Sequence, residues 1–301
     1  MTEQDLTDAR LRARAMLVVN PSAGTRSGKA QPEDLGRCEV ILRDAGFVLD
    51  RLETGPESPT SADLARRAVE QGYEACIVAG GDGTVAPAAA ALLDTGVVLG
   101  ILPFGSVMNI AHGLGLPLEP VKAAEVIARR RVQHADAGEV REKIFFETAG
   151  VGLDAEIFGA ARHAERGNWR RALRRALRLV TLRSFRVSIN VDGREDRQRA
   201  LQVLVLNSPY YGFALEILPR VSMTDGLLDV AVFPRVGRVA LVRSFITLWR
   251  GGRLPSKPVA YRGARIELSS DGPVAVHADG VLAGGLPAKL VCRRGALCVF
   301  S

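Results

Sequence analysis

The chain has 301 residues, of which 47% are hydrophobic and 24% charged. This length favours two domains, and this composition excludes disordered, collagenous and fibrous proteins. No apolar run approaches the roughly 20 residues that a membrane-spanning helix needs, and the first residues lack the basic and apolar regions of a signal peptide, so we expect a cytoplasmic protein.

The first part of the chain predicts an α/β domain. Residues 15–137 alternate short β-branched runs with helical patterns, which is typical of βαβ units around a parallel sheet. Strands are expected at 15–20, 47–52, 75–79 and 97–102, and helices at 33–45, 60–71, 85–94 and 119–130. Ser58-Pro59-Thr60 is the expected N-terminal cap of the second helix.

The pattern changes after residue 137. Runs rich in Val, Leu and Phe, separated by Gly, Pro and Asp turns, predict an antiparallel, mostly β domain. Its strands are expected at 144–149, 185–191, 201–207, 227–233, 264–269, 274–278 and 288–300. We therefore divide the chain into residues 1–137 and 138–301, with the last residues able to return to the first domain.

A glycine-rich turn carries the strongest chemical signal. Gly80-Gly81-Asp82-Gly83-Thr84 follows the third predicted strand and precedes the helix at 85–94. Glycines let backbone N–H groups approach a phosphate, and a helix N-terminus favours anions. A carboxylate there would repel phosphate, so Asp82 suggests a Mg²⁺ bridge or a proton-abstracting role, the alternative being a simple helix cap.

Two further loops follow predicted parallel strands. The first starts with Asn20-Pro21-Ser22-Ala23-Gly24 and continues through Arg26, and the other is Leu102-Pro103-Phe104-Gly105-Ser106-Val107-Met108-Asn109. Ligands of open α/β sheets bind at the carboxyl ends of the strands. We therefore expect the three loops to converge on one cleft and to form a nucleotide site.

Together these motifs resemble the diacylglycerol kinase catalytic family, bacterial lipid kinases that share a fold with sphingosine and ceramide kinases. The resemblance covers nearly the whole chain. It continues through Gly113-Leu114-Gly115-Leu116-Pro117, Asp136, Asn207-Ser208-Pro209-Tyr210-Tyr211-Gly212, Asp225-Gly226-Leu227-Leu228-Asp229-Val230 and Asp279-Gly280. It implies a nucleotide-binding α/β domain followed by a β-rich, sandwich-like domain, with the active site in the cleft between them.

The resemblance implies an ATP- and Mg²⁺-dependent kinase that phosphorylates a lipid hydroxyl, with diacylglycerol as the default substrate. Phosphoryl transfer needs phosphate positioning, a metal ion and one carboxylate that accepts the hydroxyl proton. We expect Asp279 to be that base, with Asp82 as the alternative. The expected nucleotide-binding residues are Asn20, Pro21, Gly24, Arg26, Gly80, Gly81, Asp82, Gly83, Thr84, Gly105, Ser106 and Asn109, and the expected metal ligands are Asp82, Asp136, Asp225 and Asp229. For Asp225 and Asp229, ordinary turn chemistry is the alternative.

The chain departs from the family pattern at informative places. Met108 and Asn109 replace an Asn and an acid in the third loop, and Val281 replaces the Glu that usually follows Asp-Gly. Thr25 or Arg26 also stands where basic residues often face phosphates. The loss of two carboxylates leaves open a non-catalytic nucleotide- or lipid-binding relative. NAD kinase, which shares the GGDG turn, is the alternative enzyme.

A basic amphipathic segment suggests a membrane surface as partner. Over residues 166–180, Trp169, Leu173, Ala176, Leu177 and Val180 form one helical stripe, and most of the other positions are arginines, namely Arg170, Arg171, Arg174, Arg175 and Arg178. We expect this helix to bind anionic lipid peripherally; a solvated arginine face over a core-packed stripe is the alternative. The segment 239–249 is a second candidate, for which ordinary core is the alternative. Nucleic acid is not expected, because the basic residues lack interleaved aromatic ones, and a homodimer is left open.

Overall fold

The computed structural model describes residues 12–23, 32–152, 184–211, 215–218, 220–234 and 258–301. These residues form two compact units. Unit 1 comprises the described residues up to Asp136 together with Arg294–Ser301, and unit 2 comprises those of Ala137–Tyr211 and Leu215–Arg293.

Unit 1 contains the predicted parallel sheet. Its strands are β1 (Ala13–Val19), β2 (Phe47–Glu53), β3 (Ala75–Gly80) and β4 (Val98–Pro103), and its helices are α1 (Pro32–Asp44), α2 (Ser61–Glu70), α3 (Asp82–Ala91), α4 (Asn109–Gly113) and α5 (Pro120–Ala128). The strands pair in the order β2-β1-β3-β4, all parallel. The end of β17 (Ala288–Phe300) adds a parallel neighbour, with Val299 opposite Leu99.

Helices on both faces explain why the central strands are continuous apolar runs. Every residue of β3 is buried, and so is every residue of β1 except Arg14. Helix α1 packs against α5, and α2 packs against α3. Within the expected cap Ser58-Pro59-Thr60, the N-cap of α2 is Thr60, which forms a capping box with Asp63.

Helix α3 corrects the sequence prediction at its first turn. The expected helix over 85–94 instead spans Asp82–Ala91, so Asp82 belongs to the helix rather than to a loop before it. Gly81 is the extended N-cap, with φ −96° and ψ 179°. Glycine lowers helix propensity, which made this turn look non-helical. The short helix α4 was not predicted at all.

Unit 2 is antiparallel and mostly β, as predicted. It includes the end of β5 (Val132–Val140) and the beginning of β17, two strands that the boundary between the units divides. Between them lie β6 (Lys143–Phe145), β7 (Thr148–Gly152), β8 (Phe185–Val191), β9 (Arg194–Leu206), β10 (Tyr210–Tyr211), β11 (Leu215–Glu216), β12 (Leu228–Pro234), β13 (Val259–Gly263), β14 (Arg265–Ser270), β15 (Ala275–Ala278) and β16 (Val281–Gly285).

The main sheet of unit 2 has the strand order β16-β15-β7-β9-β8-β14-β17, and β12 pairs with both β9 and β13. Its core is a cluster of buried aliphatic side chains around Phe145. Strand β9 begins earlier than the predicted 201–207, because its first six residues are polar and carry no strand signal. In the described part of the chain, no helix is both long enough and apolar enough to span a membrane.

Candidate functional site

Asn20 joins the first loop of unit 1 to the glycine-rich turn. Its backbone N–H continues the sheet by donating to the carbonyl oxygen of Ala79 at 2.9 Å. Its side chain accepts from the N–H of Ser22 at 3.0 Å and donates from Nδ2 to Thr84 Oγ1 at 2.8 Å. One amide group therefore holds the turn after β1 against the first turn of α3.

Glycines bring the second and third loops into backbone contact. A Cβ added to Gly105 would lie 2.5 Å from the Cα of Gly81 and 2.8 Å from the Sδ of Met108. The N–H of Phe104 also donates to the carbonyl oxygen of Gly80, at 3.1 Å. Gly81 and Gly105 are thus required because two backbones meet here, and not only because a phosphate needs space.

The carboxylate of Asp82 caps a different helix from its own. Its Oδ2 accepts from the N–H of Asn109 at 3.0 Å, and its Oδ1 accepts from the N–H of Ile110 at 3.2 Å. These two groups open α4, whose own N-cap, Met108, is left-handed with φ 58° and provides no side-chain hydrogen bond. Burial raises the pKa of Asp82 above its usual range, and the backbone N–H groups of Ile110 and Asn109 oppose that shift.

This arrangement explains how an acid can stand in a turn that is predicted to bind an anion. The charge of Asp82 is directed at the N-terminus of α4, where backbone N–H groups stabilise it. The N-cap of α3 is a glycine, which provides no side-chain hydrogen bond to that helix. The first turn of α3 can therefore receive phosphate oxygens in the way that helix N-termini commonly do.

Asp136 lies in unit 1 and forms a hydrogen bond with the last strand, β17. It is 1% exposed, and its Oδ1 accepts from the N–H of Gly295 at 2.6 Å. Gly295 has a left-handed φ of 58°, so the carboxylate holds an irregular point of β17. The contact seen here is structural, and the metal role of Asp136 stays a prediction.

Asp279 holds a turn of unit 2. It accepts hydrogen bonds from three consecutive backbone N–H groups, those of Phe146, Glu147 and Thr148, at 2.8, 3.0 and 2.9 Å. Its own backbone is left-handed, with φ 42°. The carboxylate engages the backbone between β6 and β7, and the proton-acceptor role of Asp279 stays a prediction.

Asp225 and Asp229 share a guanidinium group rather than surrounding an open cation site. The Nη2 of Arg262 contacts Asp225, and its Nε lies 3.5 Å from Asp229 Oδ2. Burial raises the pKa of Asp229, the charge of Arg262 lowers it, and Asp225 raises it further. Arg262 supplies positive charge beside both carboxylates, and the metal role of Asp225 and Asp229 stays a prediction.

Comparisons with known proteins agree with this architecture. The family model of the diacylglycerol kinase catalytic domain matches residues 14–140, and that of the YegS C-terminal NAD kinase beta sandwich-like domain matches residues 148–301. A diacylglycerol kinase of Mycobacterium tuberculosis (strain CDC 1551 / Oshkosh) is 30% identical over 255 residues, which is 82% of each chain. The chain belongs to the diacylglycerol kinase family.

Other family members extend the match. A diacylglycerol kinase of Bacillus subtilis (strain 168) is 26% identical over 92% of this chain and 93% of its own. A solved structure of a diacylglycerol kinase from Bacillus anthracis str. Sterne shares the fold, with a TM-score of 0.73 at 23% identity over 96% of each chain. The resemblance, the two-domain fold with a sandwich-like second domain, and the expectation of a kinase enzyme are thereby confirmed.

The family implies a divalent cation, and the side chains of this protein can be compared with the ligands that such an ion needs. Among the described residues, no three His, Cys, Asp or Glu side chains group closely enough to hold a metal ion by themselves. Mg²⁺ at kinase sites is instead usually held by one or two carboxylates and the substrate phosphates. Asp82 is the carboxylate of the three loops that fits that pattern, because it belongs to the first turn of α3, where phosphate oxygens would bind.

Some predicted residues are exposed, and others lie outside the described part of the chain. Pro21, Gly83 and Ser106 are exposed. Gly24, Arg26 and the segments 166–180 and 239–249 lie outside the described residues. Sequence reasoning missed Arg262, for which the chain gives no local signal. The Asn207-Ser208 pair that contacts Glu147 was noted in the family resemblance only.

Proposed function

We propose that this protein transfers the γ-phosphoryl group of ATP to a lipid hydroxyl, with diacylglycerol as the first substrate to test. The observation that carries the proposal is the joining of three loops in unit 1 through Asn20, Asp82 and the Gly81–Gly105 contact. Family membership supplies the reaction class, and this arrangement supplies the phosphate-binding surface.

Each part of the arrangement has a separate task. The first turn of α3 offers backbone N–H groups to the phosphates, and Asn20 keeps that turn in place through Thr84. The Mg²⁺ that accompanies ATP would be held by Asp82 and would spread the negative charge of the phosphates. Asp82 also fixes α4, so one residue links metal binding to the position of the third loop.

The membrane is the proposed place of reaction. A lipid acceptor requires the enzyme to reach the membrane surface, and the arginines of the amphipathic segment 166–180 are suited to binding anionic headgroups. We therefore propose a cytoplasmic protein that associates peripherally with the membrane.

The test is phosphate transfer from γ-labelled ATP by purified protein. One reaction contains a lipid extract, a second contains NAD⁺, and a third contains neither acceptor. The proposal predicts label in a lipid product and none in NADP⁺. Label in NADP⁺ would favour the NAD kinase alternative, and ATP binding without transfer would favour a non-catalytic relative.

A further inference from the structure

A thiol and an imidazole lie beside each other on two neighbouring strands of unit 1. Cys298 is near the end of β17 and His134 is near the start of β5, and these two strands pair with each other. The Sγ of Cys298 is 3.7 Å from the Nδ1 of His134, which is within hydrogen-bonding distance for a sulfur atom. Both residues belong to the part of each strand that lies in unit 1. The kinase function proposed above uses neither of them.

Backbone contacts on both sides hold this pair in place. On one side, the N–H of Ser301 donates to the carbonyl oxygen of Arg131 at 2.9 Å. On the other side, the N–H of Gly295 donates to Asp136 Oδ1 at 2.6 Å. The thiol and the imidazole lie between these two contacts along both strands. Strand pairing, and not a loop, therefore sets the distance between the two side chains.

Reagents in solution can reach this pair. His134 is exposed and Cys298 is partly exposed. The structure describes all four cysteines of the chain, and two of the others, Cys38 and Cys76, are 0% exposed. Burial raises the pKa of both of these thiols to about 12, so they are poor nucleophiles. Cys292 is partly exposed but packs against the apolar core of unit 2.

A thiol beside an imidazole is suited to nucleophilic chemistry. The thiolate, and not the thiol, attacks disulfides. In the tautomer that carries its proton on Nε2, His134 accepts at Nδ1 and can take the proton of the thiol there. The imidazolium that results lies beside the thiolate and stabilises its negative charge.

We propose that Cys298 is a site of reversible modification by low-molecular-weight disulfides, with His134 as the base. The proton of the thiol passes to Nδ1 of His134, and the sulfur of Cys298 forms a bond to one sulfur of the disulfide. The original disulfide bond breaks, and the leaving thiolate takes the proton from the imidazolium. The products are one mixed disulfide on Cys298 and one low-molecular-weight thiol, and an excess of that thiol reverses the reaction.

This site lies away from the loops that are proposed to bind phosphate. Val299, the neighbour of Cys298, lies opposite Leu99, which is the second residue of β4. The three loops instead follow the carboxyl ends of the parallel strands. We therefore expect modification of Cys298 to leave ATP binding unchanged, and the inference does not depend on the proposed kinase function.

The test incubates the reduced protein with oxidised glutathione in the absence of nucleotide. Intact-mass spectrometry follows the modification with time, and peptide mapping identifies the modified cysteine. The variants are Cys298→Ser, His134→Gln and Arg131→Gln. The last one removes a charge from an exposed residue three positions before His134 and is the matched control. Tm and the reaction rate in concentrated guanidinium chloride are measured for each protein.

One equivalent of glutathione should add to the wild type, at Cys298, and Cys298→Ser should lose this reaction. His134→Gln should lower the rate constant about tenfold or more, because it removes the proton acceptor. Arg131→Gln should react within about twofold of the wild type. In guanidinium chloride the wild type and His134→Gln should react at the same rate, because unfolding separates the pair. The Tm values of these two proteins should agree.

The assignment of the site would be overturned if glutathione added first to Cys292 or to a buried cysteine. The role of His134 would be overturned if His134→Gln reacted within about threefold of the wild-type rate, because general base catalysis contributes more than that. It would also be overturned if Arg131→Gln slowed the reaction as much as His134→Gln, because charge alone would then account for the rate. A folded wild type that is not modified, although it is modified in guanidinium chloride, would overturn the whole proposal.

Discussion

Replacing Asp82 by Asn tests whether this side chain holds the third loop of unit 1. Asp82 bonds the N–H groups of Asn109 and Ile110 through different oxygens. An amide has one oxygen, so it can satisfy one N–H and must present its own NH₂ group to the other. One hydrogen bond to a charged group is lost, worth about 1.5–3 kcal/mol.

The gain from removing a buried charge offsets part of that loss, because burial raises the pKa of Asp82. We therefore expect Asp82→Asn to lower the free energy of unfolding by about 1–2 kcal/mol. At about 2–4 °C per kcal/mol for a domain of this size, Tm should fall by about 2–8 °C. Calorimetry measures this change, and amide hydrogen exchange at Asn109 and Ile110 should accelerate.

Asp63→Asn is the matched control, because Asp63 also accepts a backbone N–H at a helix N-terminus but does so at the exposed surface. It should lower Tm less and leave exchange in α4 unchanged. An Asp82→Asn protein with wild-type Tm and unchanged exchange at Asn109 and Ile110 would refute the capping role of Asp82.

Further predictions concern glycine contacts, the ion pair of Arg262 with Asp229, and pH. Gly105→Ala should destabilise unit 1 by about 1–3 kcal/mol, because the added Cβ would meet the backbone of the facing loop. Gly83→Ala has open space around its Cβ and should leave stability unchanged or raise it slightly. Unfolding curves measure both variants, and equal effects would contradict this prediction. Arg262→Gln should lower the free energy of unfolding by about 1–2 kcal/mol, because it leaves Asp229 without its counter-charge. The loss is smaller than for a fully buried pair, because Arg262 is 40% exposed, and an unchanged Tm would contradict this prediction. Because the pKa of Asp82 is raised in the folded state, its contribution to stability is complete below its unfolded pKa and is lost as pH rises through the folded one. The Tm difference between wild type and Asp82→Asn should therefore widen as pH falls from 7 towards about 4, and a narrowing difference would contradict the sign of this shift.

The elements of unit 1 could be predicted because its buried parallel strands are continuous apolar runs that stand out from the helices. The position of the three loops followed from topology, since the carboxyl ends of parallel strands share one edge. The start of α3 could not be predicted in the same way. Glycines in a first turn lower local helix propensity, and only packing against the third loop, through Gly81 and Gly105, shows why they are there.

The direction of each acidic side chain was beyond sequence reasoning because the partners are remote in the chain. Asp82 caps groups 27 and 28 positions away, and Asp279 holds groups 131 to 133 positions away. Arg262 pairs with an aspartate 37 positions earlier. Residue type and spacing identified these acids as unusual, but whether each one faces a ligand or a backbone depends on long-range packing.

The most direct test of the central claim is the stoichiometry of the reaction with diacylglycerol. Purified protein, MgATP and a short-chain diacylglycerol are incubated, and ADP and phosphorylated diacylglycerol are quantified by mass spectrometry. The kinase assignment predicts one phosphorylated lipid for each ADP formed, with the rate strongly reduced in Asp82→Asn. ADP formation without phosphorylated lipid, or lipid product formed equally well by Asp82→Asn, would contradict it.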